Sequence, residues 1–292
     1  MGRTTRVLAE GIYFGEGPRW RDGRLWFSDF YAHAVMSVSL AGDLRKEFEL
    51  DDQPSGLGWA PDGSMLIVSM TKRQVLRRTA DGAIRLHADL GHIATFHCND
   101  MVVDSEGRAY VGNFGFDLDA ELVGRGADSV LADHPTAKLT SISTDGVVSV
   151  AASDMHFPNG SVITPDGKTL IVGETLSATL TAFDIDHDGQ LSRRRVWATT
   201  SPRIPDGITL DAENAIWIAN PLAPECARIA EGGQVLEVID TGQPCYACML
   251  GGEDGRSLFM LTAQTSVGHD AAATPTGRLL VATVEAPHAG RP

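Results

Sequence analysis

The sequence contains six copies of one short pattern, and this repetition is the strongest constraint on its fold. Each copy has a first residue that is usually polar and often followed by glycine, then a short apolar run. A turn rich in Asp and Gly and a second apolar run complete it. The copies begin at Glu16, Ser55, Asn99, Asn159, Asp206 and Ala247. A hairpin of short strands that recurs about every 40–50 residues is typical of the blades of a β-propeller.

Further apolar runs between the copies supply two more strands per repeat, for example Ala34–Ser39 followed by 44–50. Six repeats of four strands use nearly the whole chain. We therefore predict an all-β fold, a six-bladed β-propeller that forms a single domain over residues 1–292. Segment 5–9 lies outside the repeats, and we expect it to pair near residues 279–284 and so close the ring, which removes an open sheet edge.

The interval between the third and fourth copies is longer than the others and holds an insertion, at about residues 115–135. It is rich in Gly, Asp and Leu. Long loops in compact domains are often functional. Two interpretations stay open: a surface excursion, or a lid over the mouth of the central channel.

The first residues of the six copies predict a ring of side chains. Equivalent positions of all blades lie at one height around the central axis of a propeller, so these residues would meet at the channel mouth. Five of the six are polar and two are carboxylates. Carboxylate and amide oxygens are ligands for a hard cation, and a cation would relieve the repulsion between two carboxylates. The sequence therefore predicts a metal site in the central channel.

The alternative is that these are ordinary turn residues, because Asn-Gly and Asp-Gly are also hairpin signals. That alternative would explain any one of them. It does not explain why Asp-Gly turns recur separately in a second column, at Asp62, Asp166 and Asp254.

Composition narrows the classes of partner. The chain has 24 basic and 38 acidic residues and a formal net charge of −14. Such a surface repels phosphate backbones and anionic lipids, so we expect neither nucleic acid nor membrane partners. No apolar stretch of signal-peptide length lies near the start, and a cytoplasmic location is expected. The sequence gives no indication of an oligomeric state.

Two further motifs are interpreted as structural. Cys245 and Cys248 form a C-x-x-C with no second pair to complete a zinc site, and they begin an apolar run that predicts a strand. The segment from Asp184 to Gly189 matches the first half of an EF-hand loop, but Arg195 occupies the place of the essential glutamate. We expect a hairpin turn there.

Four motifs resemble those of the senescence-marker-protein, gluconolactonase and luciferin-regenerating-enzyme family. They occur in the family's order over nearly the full chain: E-G-P-R-W from Glu16, N-D from Asn99, F-P-N-G from Phe157 and P-D-G-I from Pro205. The resemblance implies a six-bladed propeller with one divalent ion, calcium or zinc, whose ligands are Glu16, Asn159 and Asp206. It also implies that Asn99 contacts the substrate and that Asp206 acts as acid and base.

The expected function is therefore metal-dependent hydrolysis of a small lactone or related cyclic ester. His97 lies two residues before Asn99, on the same face of an extended strand. We expect His97 and Ser55 to join Asn99 in binding the substrate. The alternative, from a different class, is a propeller that binds a ligand or a protein without catalysis, because fold does not fix function.

One departure from the family bears on the substrate. The gluconolactonase branch commonly has an arginine, which contacts substrate hydroxyls, where this chain has His97. If the insertion covers the mouth, its apolar residues Phe114, Phe116 and Leu118 would line the pocket. An apolar wall leaves a buried hydroxyl unpaired. We therefore expect a preference for lactones with fewer hydroxyl groups than sugar lactones.

Overall fold

A computed structural model describes residues 3–290, whose strands form six four-stranded antiparallel sheets arranged as the blades of a β-propeller. Strand β1 (Arg6–Ile12) belongs to the last blade. The first blade contains β2 (Gly15–Arg21), β3 (Arg24–Asp29), β4 (Ala34–Ser39) and β5 (Leu44–Glu49). The second contains β6 (Pro54–Trp59), β7 (Met65–Ser69), β8 (Gln74–Arg78) and β9 (Ile84–Asp89). The third contains β10 (Cys98–Val103), β11 (Ala109–Asn113), β12 (Ala137–Ile142) and β13 (Val148–Met155).

The remaining blades repeat this arrangement. The fourth contains β14 (Pro158–Ile163), β15 (Thr169–Glu174), β16 (Thr179–Ile185) and β17 (Leu191–Thr199). The fifth contains β18 (Ile208–Leu210), β19 (Ile216–Asn220), β20 (Glu225–Ile229) and β21 (Val235–Asp240). The sixth contains β22 (Cys245–Gly251), β23 (Ser257–Thr262) and β24 (Gly277–Thr283), with β1 as its outer strand. The six-bladed propeller predicted from the repeats is confirmed.

The ring closes where the two ends of the chain meet in the sixth blade. Strand β1 pairs with β24 in antiparallel register, with Arg6 opposite Val281 and Ile12 opposite Gly277. The predicted pairing of the N-terminal segment is thus confirmed. Ile12 also enters the core cluster that joins the sixth blade to the first, which includes Phe259 and Phe27.

The inner strands of neighbouring blades approach each other closely. A Cβ atom added to Gly160 would lie 2.5 Å from the backbone nitrogen of Ile208, and one added to Gly56 would lie 2.4 Å from that of Met101. Only glycine permits such contact, which explains why glycine so often follows the first residue of a repeat. Main-chain hydrogen bonds join the blades at the same level, from Gly160 N to Asp206 O at 3.2 Å.

Both motifs that were interpreted as structural, the C-x-x-C pair and the EF-hand-like segment, form parts of the strands and turns of the propeller. Cys245 and Cys248 lie on β22 and, like the other two cysteines, are buried and free of disulfides. The EF-hand-like segment is the turn between β16 and β17, in which Asp186 Oδ1 accepts hydrogen bonds from the backbone of Asp188 and Gln190.

In the described part of the chain, three short α-helices and one 3₁₀ turn (Thr175–Ser177) lie outside the sheets. The α-helices are α1 (Leu118–Arg125), α2 (Ala127–Ala132) and α3 (Gly268–Ala273). The first two form the insertion, which the repeat pattern did not predict to be helical. The sequence does contain residues typical of a helix start, with Asp117 at the N-cap and Asp119 and Glu121 in the first turn of α1. In the structure, Asp117 Oδ1 accepts a hydrogen bond from Ala120 N at 3.0 Å. Within residues 3–290, no helix has the length and apolar character needed to cross a membrane.

The closure of the ring predicts unequal effects for two substitutions on β1. Ile12 is 1% exposed and Val7 is 45% exposed. Ile12→Ala should lower the free energy of unfolding by about 2–5 kcal/mol, because it leaves a cavity between the blades. Val7→Ala is the matched control and should change it by less than about 0.5 kcal/mol. Denaturant unfolding measures both changes. Equal losses of stability in the two variants would contradict the conclusion that the buried side of β1 stabilises the closed ring.

Candidate active site

A cavity of about 410 Å³ opens at the channel mouth, at the end where the inner strands begin. Glu16, Asn99 and Asn159 line it from the second position of β2, β10 and β14. Asp206 lines it from two residues before β18. All four side chains are buried. The structure therefore brings together four members of the predicted ring.

A chain of hydrogen bonds fixes the two amides of this ring. Asn99 Nδ2 donates to Asn159 Oδ1 at 2.9 Å, and Asn159 Nδ2 donates to Thr175 Oγ1 at 3.2 Å. Thr175 Oγ1 in turn donates to the carbonyl oxygen of Pro205 at 2.8 Å. Thr175 also lines the cavity, although it lies in the loop after β15 and no repeat motif pointed to it.

The other two positions of the ring differ from the prediction. Ser55 is buried beneath Asn99, to whose Oδ1 its hydroxyl donates at 3.5 Å, and it is not among the described residues that line the cavity. In the sixth blade the alignment was wrong by one residue. Ala247 takes the place of the glycine, since a Cβ on Gly207 would lie 2.7 Å from its Cα. Tyr246 therefore takes the ring position and lines the cavity.

The reason for this error is local. Tyr246 is separated from the Asp254 turn by one residue more than Asn159 is from the Asp166 turn. Alignment on the turn therefore shifted the sixth repeat. Alignment on the small residue that packs against the preceding blade would have identified Tyr246.

Burial and mutual repulsion dominate the electrostatics of the cavity floor. Burial, followed by the negative charges of Asp206 and Asp100, raises the pKa of Glu16 well above its usual range. Burial, assisted by Asp100, raises the pKa of Asp206 from 3.8 to about 8. Without a counter-charge, two carboxylates in this position are unfavourable.

Basic side chains do not supply that counter-charge. Arg19 lies below the ring, but its guanidinium is bound to Asp100 Oδ1 at 3.3 Å and to the backbone oxygens of Pro18 and Met101. In the described part of the chain, neither Glu16 nor Asp206 forms an ion pair with a basic side chain. A cation would therefore complete the site electrostatically.

The donor set is of the type that a divalent cation accepts. Within residues 3–290, no group of three or more His, Cys, Asp or Glu side chains is arranged to hold a metal ion. A metal at this floor would thus need amide oxygen as well as the two carboxylates. Glu16, Asp206 and Asn159 would together offer carboxylate and amide oxygens, which suit a hard cation.

The walls of the cavity are aromatic. On one side the ring of Phe14 packs against those of Phe30 and Tyr246, with centroids 5.4 and 4.7 Å apart. On the other side Phe114 packs against Phe157 at 4.6 Å. Burial raises the pKa of Tyr246 to about 12, so its hydroxyl stays protonated at neutral pH.

His97 lines the cavity beside this second aromatic pair. Its ring stacks on Phe96 at 4.1 Å, and its backbone oxygen accepts a hydrogen bond from Phe114 N at 2.9 Å. Burial lowers the pKa of His97 below its usual value. A neutral imidazole can donate one hydrogen bond and accept one, but it has none of the fixed charge of an arginine.

The insertion borders the cavity instead of projecting away from it, which favours the lid over the surface excursion. It contributes Leu118, Asp119, Leu122, Ala127, Val130 and Leu131 to the lining. Of the apolar residues expected there, Phe114 and Leu118 line the cavity, whereas Phe116 is not among its described lining residues and its ring lies 6.2 Å from that of His134.

Loops from two other blades complete the rim. Pro221 and Leu222 come from the fifth blade, and Ser266 and Gly268 come from the loop between β23 and β24. These residues follow the second strands of their blades, β19 and β23, without a shared motif. Their approach to the cavity depends on how the blades are arranged around the axis.

Comparison with known proteins identifies a family that matches most of this chain. A family model described as the SMP-30/gluconolactonase/LRE-like region matches residues 14–264. The chain is similar to a pentonolactonase of Haloferax volcanii, with 27% identity over 277 residues that cover 89% of this chain and 84% of the relative. It is 28% identical to regucalcin of Homo sapiens over 265 residues, 88% of this chain and 86% of that protein.

Among solved structures, the calcium-binding protein regucalcin of Agrobacterium tumefaciens has a similar fold. The TM-score is 0.80 at 23% sequence identity, and the match covers 99% of this chain and 97% of that structure. This likeness supports the six-bladed fold.

The buried carboxylates predict an unusual pH dependence of stability. The pKa of Asp206 is higher in the folded chain than the usual 3.8, so the folded state holds a proton that the unfolded state has released. In chelator-treated protein, the free energy of unfolding should therefore fall as pH rises from about 4 to about 8. Asp206→Asn should reduce this fall and raise stability at about pH 8.

Denaturant unfolding at several pH values measures this effect. Asp51→Asn is the matched control, because Asp51 is a fully exposed carboxylate paired with Lys72 on the surface. A variant Asp206→Asn that is less stable than the wild type at about pH 8 would contradict the proposed repulsion.

Proposed function

The chain belongs to the SMP-30/gluconolactonase/LRE-like family, and on this premise we propose that it is a metal-dependent hydrolase that opens a small lactone or related cyclic ester. One observation carries the proposal: two buried carboxylates without a basic partner lie beside two oriented amides on the floor of a largely apolar cavity. The similarity to a pentonolactonase supports a lactone as the substrate class.

We assign the metal site to Glu16, Asn159 and Asp206. The calcium-binding relative supports a divalent ion, and oxygen ligands suit calcium, while zinc is the alternative. When bound, such an ion would polarise the substrate carbonyl and stabilise the negative charge that develops on its oxygen. Thr175 would keep the oxygen of Asn159 turned toward the site by accepting from its Nδ2.

The remaining residues bind the substrate and move the proton. Asn99 lies beside the ligand residues and would orient the ester through its amide, with His97 on the adjacent wall. Asp206 would take a proton from the attacking water. As the ring C–O bond breaks, it would return that proton to the leaving alkoxide, which gives a hydroxy acid. The aromatic walls limit access of bulk water to this step.

A second candidate function is a binding propeller without catalysis. The exposed leucines at the cavity rim are the observation that favours it, because an apolar rim also suits a passive binding site. Such a protein has no need for two carboxylates and two amides at one height in its channel. Metal content therefore separates the two candidates.

We expect purified protein to carry about one divalent ion per chain, and chelation to abolish hydrolysis of γ- and δ-lactones. Glu16→Gln should lower the metal content and reduce kcat/KM by at least about 100-fold, because the charge that holds the ion is lost. Asp51→Asn removes an exposed carboxylate and should change neither.

Elemental analysis and a lactone panel measure these outcomes. Activity that survives thorough chelation would contradict metal dependence. Absence of hydrolysis on every cyclic ester tested would contradict the lactonase assignment and favour the binding propeller.

His97 predicts the direction of substrate preference. The wild type should prefer a simple alkyl γ-lactone to a sugar γ-lactone in kcat/KM. His97→Arg should shift this ratio toward the sugar by roughly tenfold, because a charged donor to a hydroxyl contributes about 1.5–3 kcal/mol. His92→Arg adds the same charge at an exposed position outside the described cavity lining and should leave the ratio unchanged. A wild type that prefers the sugar lactone tenfold or more would contradict the prediction.

A further inference from the structure

We propose that the substrate is a lactone with a long hydrocarbon arm, and that helix α1 and the cavity rim form the binding site for this arm. The inference rests on the proposed function for the reactive ring, which the polar floor would hold. The arm site itself stands on a separate set of residues, on the insertion and the rim of the fifth blade.

The first observation is a group of exposed leucines that share one cavity. Leu122 and Leu131 of the insertion are 37% and 42% exposed, and Leu222 of the fifth blade is 64% exposed. All three line the same cavity as the catalytic floor. Large apolar side chains gathered around an opening remain hydrated until a ligand covers them, so they mark a surface that binds something apolar.

The second observation is the orientation of helix α1. Leu118 and Leu122 are four residues apart, so they share one face of the helix, and both line the cavity. Val123, the next residue, is 87% exposed and is not among the described lining residues. The apolar face of α1 is therefore turned toward the cavity, although no residue of this helix is buried.

The third observation is the size of the space. About 410 Å³ lies within the range of pockets that enclose an extended small molecule, whereas a lactone ring alone would fill only the floor. Between floor and rim the walls are formed by Phe114 and Phe157 on one side and Phe14 and Tyr246 on the other. A hydrocarbon arm that leaves the ring would pass these aromatic walls before it reaches the leucines.

The arm site is held in place before a ligand binds. Asp119 Oδ2 accepts a hydrogen bond from Gly268 N at 3.3 Å, which ties α1 to the opposite side of the rim. Val130 of α2 is fully buried, and at the end of the insertion His134 Nε2 lies 2.9 Å from Nδ1 of His156, which follows β13. Because the insertion is fixed at these points, little ordering is needed when the arm binds.

A homologous series of γ-alkyl lactones, from methyl to octyl, tests the proposal in the metal-loaded protein. The arm lies away from the reacting bond, so it should contribute uniform binding: KM should fall by roughly fourfold per added methylene, with kcat nearly constant. The fall should level off once the chain extends beyond the rim. A KM independent of chain length would overturn the proposal.

Variants of α1 locate the effect. Leu122→Ser should flatten the dependence of KM on chain length, whereas Leu122→Met should retain it because volume and apolar character are kept. Val123→Ser, the matched control on the outward face, should behave as the wild type. Equal chain-length dependence in Leu122→Ser and Val123→Ser would place the arm elsewhere and overturn the assignment.

Binding of 3-alkylcyclopentanones, which carry the chain at the position that matches the γ-carbon of the lactones, is measured by calorimetry. It separates this proposal from the proposed function, because these ketones cannot be hydrolysed. Affinity that rises with chain length and is lost in Leu122→Ser would support the arm site even in a protein that hydrolyses no lactone. The opposite result is also possible: short lactones are hydrolysed, but the affinity for the ketones does not change with chain length. That result would support the lactonase assignment and overturn the arm site.

Discussion

The close contact of the inner strands is the constraint on which the rest of this structure depends. Where Gly160 meets the backbone at Asp206 and Gly207, no side chain fits, and a main-chain hydrogen bond crosses directly between blades. The residue before each such contact is fixed in height, and for Glu16, Asn159 and Asp206 the side chain lines the cavity at the channel mouth. The ring that results is a consequence of backbone packing between the inner strands. Preorganised groups of this kind cost little to assemble at the moment of reaction.

This fixed arrangement of side chains has an energetic cost at the floor of the cavity. Burial disfavours ionisation of both Glu16 and Asp206, the charge of Asp206 adds to this at Glu16, and Arg19 is bound to Asp100. Evolution commonly retains unfavourable charge only where function needs it, and perturbed carboxylates in a cavity are typical of functional sites. The amides of Asn99 and Asn159 show the complementary feature, since hydrogen bonds to Asn159 and Thr175 fix their orientation in the same cavity as the carboxylates. The floor thus combines two buried carboxylates with two oriented amides.

The upper part of the cavity has the opposite character. Aromatic rings form the walls, and exposed leucines of the insertion and of the fifth blade form the rim. This difference between the polar floor and the apolar upper cavity follows from the architecture. Equivalent blade positions supply the shared chemistry at the axis, and insertions between strands alter the surroundings without disturbing the inner strands. A change of substrate preference within such a fold can therefore be confined to the insertion and to residues such as His97, while the floor stays the same.

The sequence by itself determined the repeat architecture. It indicated the strand pairs, the closure by the N-terminal segment, and the positions of Glu16, Asn99, Asn159 and Asp206 at one level, because these depend on periodicity and on residues that recur in each blade. The prediction was wrong in the sixth blade. One extra residue before the turn led to Ala247, and not Tyr246, being assigned to the ring position. Only the tertiary structure placed Thr175 behind Asn159, removed Ser55 from the cavity surface, and turned the leucines of α1 toward the opening. Those contacts join residues that are distant in the chain and occur once each, so no repeating pattern encodes them, and they follow only when the blades are set around a common axis.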